Sequence, residues 1–145
     1  MSAGAAGRVA ALDLGAKRIG VAYSDSGRSL ASPWGTIERS GDPGRDRTAV
    51  VDAVREVEAR TVVVGLPLSL SGQLGPAARA ALDEVAALRV LLEPLGVTVE
   101  TADERFTTVE AERSLRAAGR TGKAARRVVD SAAAMVLLQG WLDNA

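Results

Sequence analysis

Three acidic residues stand among neighbours that do not suit an acid. Asp13 interrupts the apolar run VAALDL (9–14), between Leu12 and Leu14. Glu104 follows another strand-like run, in the stretch ADERFTT (102–108). Asp130 shares helical spacing with Ala133, Ala134, Leu137, Leu138 and Trp141, an otherwise apolar face. A buried ionised carboxylate is costly unless it is paired or binds a cation. The chain contains no histidine and no cysteine. That argues against the usual zinc sites and excludes Ser-His-Asp and Cys-His nucleophile systems. Carboxylates, hydroxyls, Lys, Arg and bound metal remain. Oxygen-only ligation selects a hard cation such as Mg²⁺ or Mn²⁺. Two such ions roughly 3.5–4 Å apart can clamp the attacking and leaving oxygens of a phosphodiester.

Each acid also has an ordinary explanation. Asp13 suits a turn former that accepts bonds from the next backbone amides. Glu104 suits a loop acid or a partner of Arg105, and Asp103 competes for the same role. Asp130 suits the first turn of a helix, where the dipole favours negative charge. Glu110 belongs to a capping box beginning at Thr107 and Asp25 to a hairpin turn, so neither is a site candidate. The expected convergence of Asp13, Glu104 and Asp130 is what raises all three.

Seven basic residues fall between positions 105 and 127, against two acids. They are Arg105, Arg113, Arg116, Arg120, Lys123, Arg126 and Arg127. The whole chain has zero net charge, so this excess is local. It directly precedes Asp130 and reads as a phosphate-binding segment beside the acids. Phe106 is the only aromatic residue among the bases, which argues against base stacking as the main mode of binding. Lys17 and Arg18, in the tip after the first strand, are further candidates for phosphate contact. The ordinary reading of all these charges is a solvated surface.

The elements that must position these groups follow from periodicity. Val9–Leu14 reads as a central strand, apolar on both faces. Ile19–Ser24 is a second strand, and Arg28–Ile37 a weaker third after the turn at Asp25. A helix is expected over 45–59, a buried strand over Thr61–Leu66, and a long loop over 67–75. The stretch from Gly65 through that loop reads as mobile, with Ser69 and Ser71 available to substrate. A helix from Pro76 to near Pro94, a strand over Val97–Ala102, a short helix ending at Gly119 and a last helix over Val128–Trp141 complete the order. A meander feeding β-α-β crossovers implies an α/β mixed sheet with helices on both faces. Strands one, four and five then run parallel, and their carboxyl ends bring Asp13 and Glu104 to one edge. The last helix, lying close through Ala133 and Ala134, would deliver Asp130 to that edge.

The 145 residues suit one domain spanning 1–145. No apolar run reaches membrane-spanning length and no secretory core is visible, so a soluble, cytoplasmic protein without a membrane partner is expected.

Four stretches together resemble the YqgF/RuvX family, whose members are described both as pre-16S rRNA nucleases and as Holliday junction resolvases. They are ALDLGAKRIGVAYSD (11–25), VVVGLPLSLSGQLGPAARA (62–80), DERFTTVEAERSL (103–115) and VVDSAAAMVLLQGWLD (128–143). The resemblance runs from about residue 8 to 143. It implies an RNase H-like fold with strand order 3-2-1-4-5. It also implies a divalent-metal nuclease whose acids are Asp13, Glu104 and Asp130, and so prefers Glu104 to Asp103. One departure is visible: Ser69-Leu-Ser71-Gly stands where the family often has Asn-Met-Asp-Gly. The function expected is a Mg²⁺- or Mn²⁺-dependent endonuclease acting on structured nucleic acid, as a monomer or homodimer. Asp13 would bridge two metals, with Glu104 and Asp130 holding one each. The 5′ end of pre-16S rRNA is the first expected substrate and four-way DNA junctions the second. A non-catalytic nucleic-acid-binding module of the same fold is a rival that the three acids argue against.

Overall fold

A computed structural model describes residues 7–68, 71–104 and 131–144. Strands β1 (Arg8–Leu14), β2 (Arg18–Ser24) and β3 (Ala31–Glu38) form an antiparallel meander. Helix α1 (Pro43–Glu56) leads to β4 (Ala59–Leu66), and α2 (Pro76–Leu92) to β5 (Thr98–Asp103) through a 3₁₀ turn at Glu93–Leu95. Helix α3 (Ala132–Asp143) comes last among the described elements. The sheet order is β3-β2-β1-β4-β5, with β4 parallel to both β1 and β5.

The central strand explains why Val9–Leu14 is apolar on both faces. Ala10 and Leu12 enter the core layer beneath α1 and α2, with Val54, Val62, Val64 and Leu88. Val9 and Ala11 enter the other layer, with Val63, Ala134, Leu137 and Leu138 of α3. Each fully buried Val or Leu contributes about 1.5–3 kcal/mol relative to exposure. Small residues on the second layer, Ala11, Ala22 and Ala134, let α3 lie near the strands.

Several boundaries differ from those expected. Strand β3 begins at Ala31 rather than Arg28, because Asp25 captures the chain first. Its Oδ1 accepts the Ser29 and Leu30 amides at 2.9 and 2.8 Å, and Arg28 takes a left-handed φ of 57°. These bonds hold the Asp25 carboxyl down at about 2, with the Leu30 amide the largest cause. Helix α1 begins at Pro43, capped by Asp42, whose Oδ1 accepts the Gly44 amide at 3.0 Å. It stops before Glu58, which has a φ of 57°. The described part of the last helix begins at Ala132, and residues 128–130 lie outside the described residues. Ala133, expected to face the sheet, is exposed; Ala134, Met135, Leu137, Leu138 and Leu142 are the buried apolar residues.

Buried Gln139 orients α3. Its Oε1 accepts the Ala31 amide at 2.9 Å and its Nε2 donates to the Ser29 carbonyl at 3.0 Å. The carboxyl half of α3 is thereby tied to the β2–β3 turn, at the amino end of β1. Its amino end lies toward the carboxyl ends of β1 and β4.

Candidate active site

Side chains alternate between the two faces of a strand, so Val9, Ala11 and Asp13 share the α3 face of β1. Val63 and Gly65 share that face on β4, and Ala102 and Glu104 continue it at the end of β5. Gly65 is paired with Ala102 in the parallel register. Strand β4 lies between β1 and β5, yet the Glu104 carboxyl reaches hydrogen-bond contact with Asp13. Both acids are half-buried.

This contact sets the chemistry of Glu104. Desolvation, then the hydrogen bond and charge of Asp13, then the charge of Asp103, raise its carboxyl from 4.5 to about 7. Near neutral pH the Glu104 carboxyl is therefore poised between its protonated and ionised forms. Asp103 contributes charge, but it is Glu104 that makes the bond. Of the two, Glu104 is the one that alternation from Ala102 places on the α3 face.

The turn after Asp13 is tightly held. The Gly15 amide donates to the carbonyls of Asp13 and Arg18, at 3.1 and 3.0 Å. A Cβ on Gly15 would lie 2.6 Å from the Arg18 carbonyl oxygen, so only glycine fits. Arg39, just past β3, fastens the turn: its Nε donates to the Gly15 carbonyl at 2.7 Å and its amide to that of Lys17 at 2.9 Å. Lys17 is exposed at the tip, and Arg18 pairs with Glu38 at 3.0 Å. Two open clefts of about 530 and 390 Å³ flank this turn, and Ala16, Arg39 and Glu84 line both. Neither is lined by Asp13 or Glu104.

Asp13 and Glu104 are thus brought together, with Lys17 in the adjoining turn and Arg18 opening β2. Asp130, Arg105, Arg116, Arg120, Lys123, Arg126 and Arg127 lie outside the described residues, as does the helix expected after Thr107. Among the described residues no group of three or more acids is gathered closely enough to hold a metal. Sequence reasoning missed Gly65, Arg39 and Gln139. Gly65 is a buried residue of β4, within the strand expected over Thr61–Leu66 and not in the loop that follows. A glycine breaking the β-branched run TVVV is the sequence signal for a close approach there.

Sheets of this order, with acids gathered where parallel strands end, frame the RNase H-like nucleases. This chain shares that fold and is a hydrolase acting on nucleic-acid phosphodiester bonds. A family model described as RuvX: Holliday junction resolvase matches residues 7–144, and the chain belongs to that family. A relative from Mycobacterium sp. (strain KMS) is 45% identical over 138 residues, covering 95% of this chain and 80% of the relative. One from Rhodococcus opacus (strain B4) is 46% identical over 141 residues, covering 95% and 78%. Both are named as candidate pre-16S rRNA nucleases. Among solved structures, Thermus thermophilus RuvC in complex with a Holliday junction substrate superposes with a TM-score of 0.65 at 15% identity, covering 96% of each chain. The yeast mitochondrial Holliday junction resolvase does so with a TM-score of 0.62 at 10% identity, covering 94% of this chain and 78% of its own. At these identities the likeness is one of fold.

Proposed function

We propose that this nuclease is a divalent-metal-dependent endonuclease that processes the 5′ end of pre-16S rRNA, with Asp13, Glu104 and Asp130 holding the metal. The observation that carries the reading is the meeting of Asp13 and Glu104 across an intervening strand. Two half-buried carboxyls in contact cannot both ionise freely. They need a proton or a cation between them, and an all-oxygen donor set fits Mg²⁺ or Mn²⁺. Bound there, such a cation would lower the pKa of an attacking water and stabilise charge on the leaving oxygen. The orientation of α3 supports Asp130 as the third acid. Ser131, the residue after it, is buried at the helix end directed toward the carboxyl ends of β1 and β4.

Lys17, Arg18 and the basic stretch from Arg105 through Arg116, Arg120, Lys123, Arg126 and Arg127 would bind the phosphate backbone and position it without reading sequence. Arg18 would do so from its exposed pair with Glu38, which costs little to open. The names of the relatives favour the ribosomal precursor as substrate. The family description favours a second reading, cleavage of four-way DNA junctions.

One preparation assayed on a precursor 5′ leader and on a four-way junction, with Mg²⁺, with Mn²⁺ and with chelator, tests the proposal. The expected result is metal-dependent cleavage of the leader to a discrete product with the junction left intact. Junction cleavage alone supports the second reading. Binding without cleavage of either substrate, with metal bound, overturns the catalytic assignment.

A further inference from the structure

We propose that Gly65 is a positioning residue for catalysis, its missing side chain opening the path by which Glu104 crosses β4 to reach Asp13. The inference rests on the reading of Glu104 as a catalytic acid. Strands β5 and β1 are two inter-strand spacings apart, roughly 10 Å. Glu104 directly follows β5, so to touch Asp13 its side chain lies across the face of β4. The point of crossing is Gly65: a Cβ built there would lie 2.7 Å from Glu104 Oε1 and 2.9 Å from its Cγ. Real Cβ atoms do not approach other atoms so closely, so an alanine at 65 and the present Glu104 exclude each other.

Nothing else about the strand explains this glycine. Gly65 is not among the residues with positive φ, so its backbone suits any L residue. Glycine weakens a strand interior, and it follows Val62, Val63 and Val64, which suit one. The one competing account is close packing of α3, because the same Cβ would lie 3.0 Å from Leu137 Cδ2. The two accounts predict different consequences. Glu104 is half-buried with a flexible end, whereas Leu137 is 4% exposed and locked in the core. An alanine at 65 is therefore accommodated by displacement of the Glu104 carboxyl. The fold survives and the site does not.

The test compares Gly65→Ala, Gly65→Ala with Leu137→Val, and Glu104→Gln, each measured for Mn²⁺ affinity by calorimetry, for kcat and KM, and for Tm. Gly65→Ala is expected to lose about 10- to 100-fold in Mn²⁺ affinity and in kcat, the range typical when the support of a ligand is removed. KM for nucleic acid and Tm should stay near those of the parent. The double variant, which gives the helix side room, should show the same losses. Retained Mn²⁺ affinity and kcat in Gly65→Ala overturns the proposal, as does recovery of both in the double variant. If Gly65→Ala alone does not fold, the folded double variant decides on the same two quantities. A fully active Glu104→Gln overturns the underlying assignment of Glu104. An inactive Glu104→Gln beside an active Gly65→Ala overturns only the role of Gly65.

Discussion

Glu104 shares a hydrogen bond with Asp13 although β4 lies between β1, which carries Asp13, and β5, which Glu104 directly follows. The relationship accounts for an aspartate inside an apolar central strand. Asp13 is on the α3 face at the end of β1, and Glu104 leans back to the same place from β5. Neither acid is a simple turn former. The long glutamate side chain supplies the reach that an aspartate at 104 would lack.

The pair makes stability depend on pH in a defined direction. In the folded metal-free protein the Glu104 carboxyl sits at about 7, above its ordinary 4.5. Between those values the folded state binds more protons than the unfolded state, so stability is full below about 4.5 and falls as pH rises through 7. Glu104→Gln removes this loss. Its Tm should exceed that of the parent at pH 8 by about 3–6 °C, corresponding to about 1–2 kcal/mol after allowance for solvent screening. The advantage should vanish at pH 4.5. Thermal melts in chelator across this range check it, and a constant difference at every pH would refute the coupling.

Asp13→Asn removes one charge of the same pair. It should abolish Mn²⁺-dependent cleavage while leaving Tm equal to or above that of the parent at neutral pH, because repulsion with Glu104 is relieved. Parallel cleavage assays and melts measure both. Full activity in this variant would refute the metal assignment.

The meander, the parallel core strands and the two crossover helices were legible because alternation and helical spacing are strong there. So was the edge where Asp13 and Glu104 meet, since parallel strands of a crossover fold end together. The start of β3 was hidden by Asp25, whose side chain takes two amides that alternation alone would assign to a strand. The choice between Asp103 and Glu104 depended on which residue continues the α3 face from Ala102, a matter of register that one strand does not reveal. The role of Gly65 within its strand was not legible, because a missing side chain acquires meaning only from what crosses it. Gln139 gives no signal within its mostly apolar helix because the Ala31 amide and Ser29 carbonyl it bonds are more than a hundred residues away.

Gln139 is 1% exposed and bonds Ala31, Ser29 and Asp143. Gln139→Leu fills similar space but leaves the Ala31 amide and the Ser29 carbonyl without this partner. Such orphaned groups cost about 1–3 kcal/mol. Denaturant unfolding should report a loss of that size, with kcat preserved below the transition. A neutral effect would show that water replaces both bonds.

Arg126 and Arg127 close the basic stretch immediately before Asp130. If they neutralise backbone phosphates, binding releases counterions, and the logarithm of affinity falls with that of salt by about 0.7 to 0.9 per contact. Reversing both charges, Arg126→Glu with Arg127→Glu, should therefore weaken binding more at low salt than at high salt and flatten the slope by about one to two. Carrying both changes in the Asp13→Asn background removes cleavage from the measurement. An unchanged slope would place these arginines on a solvated surface away from the nucleic acid, leaving phosphate contact to Lys17, Arg18 and the bases upstream.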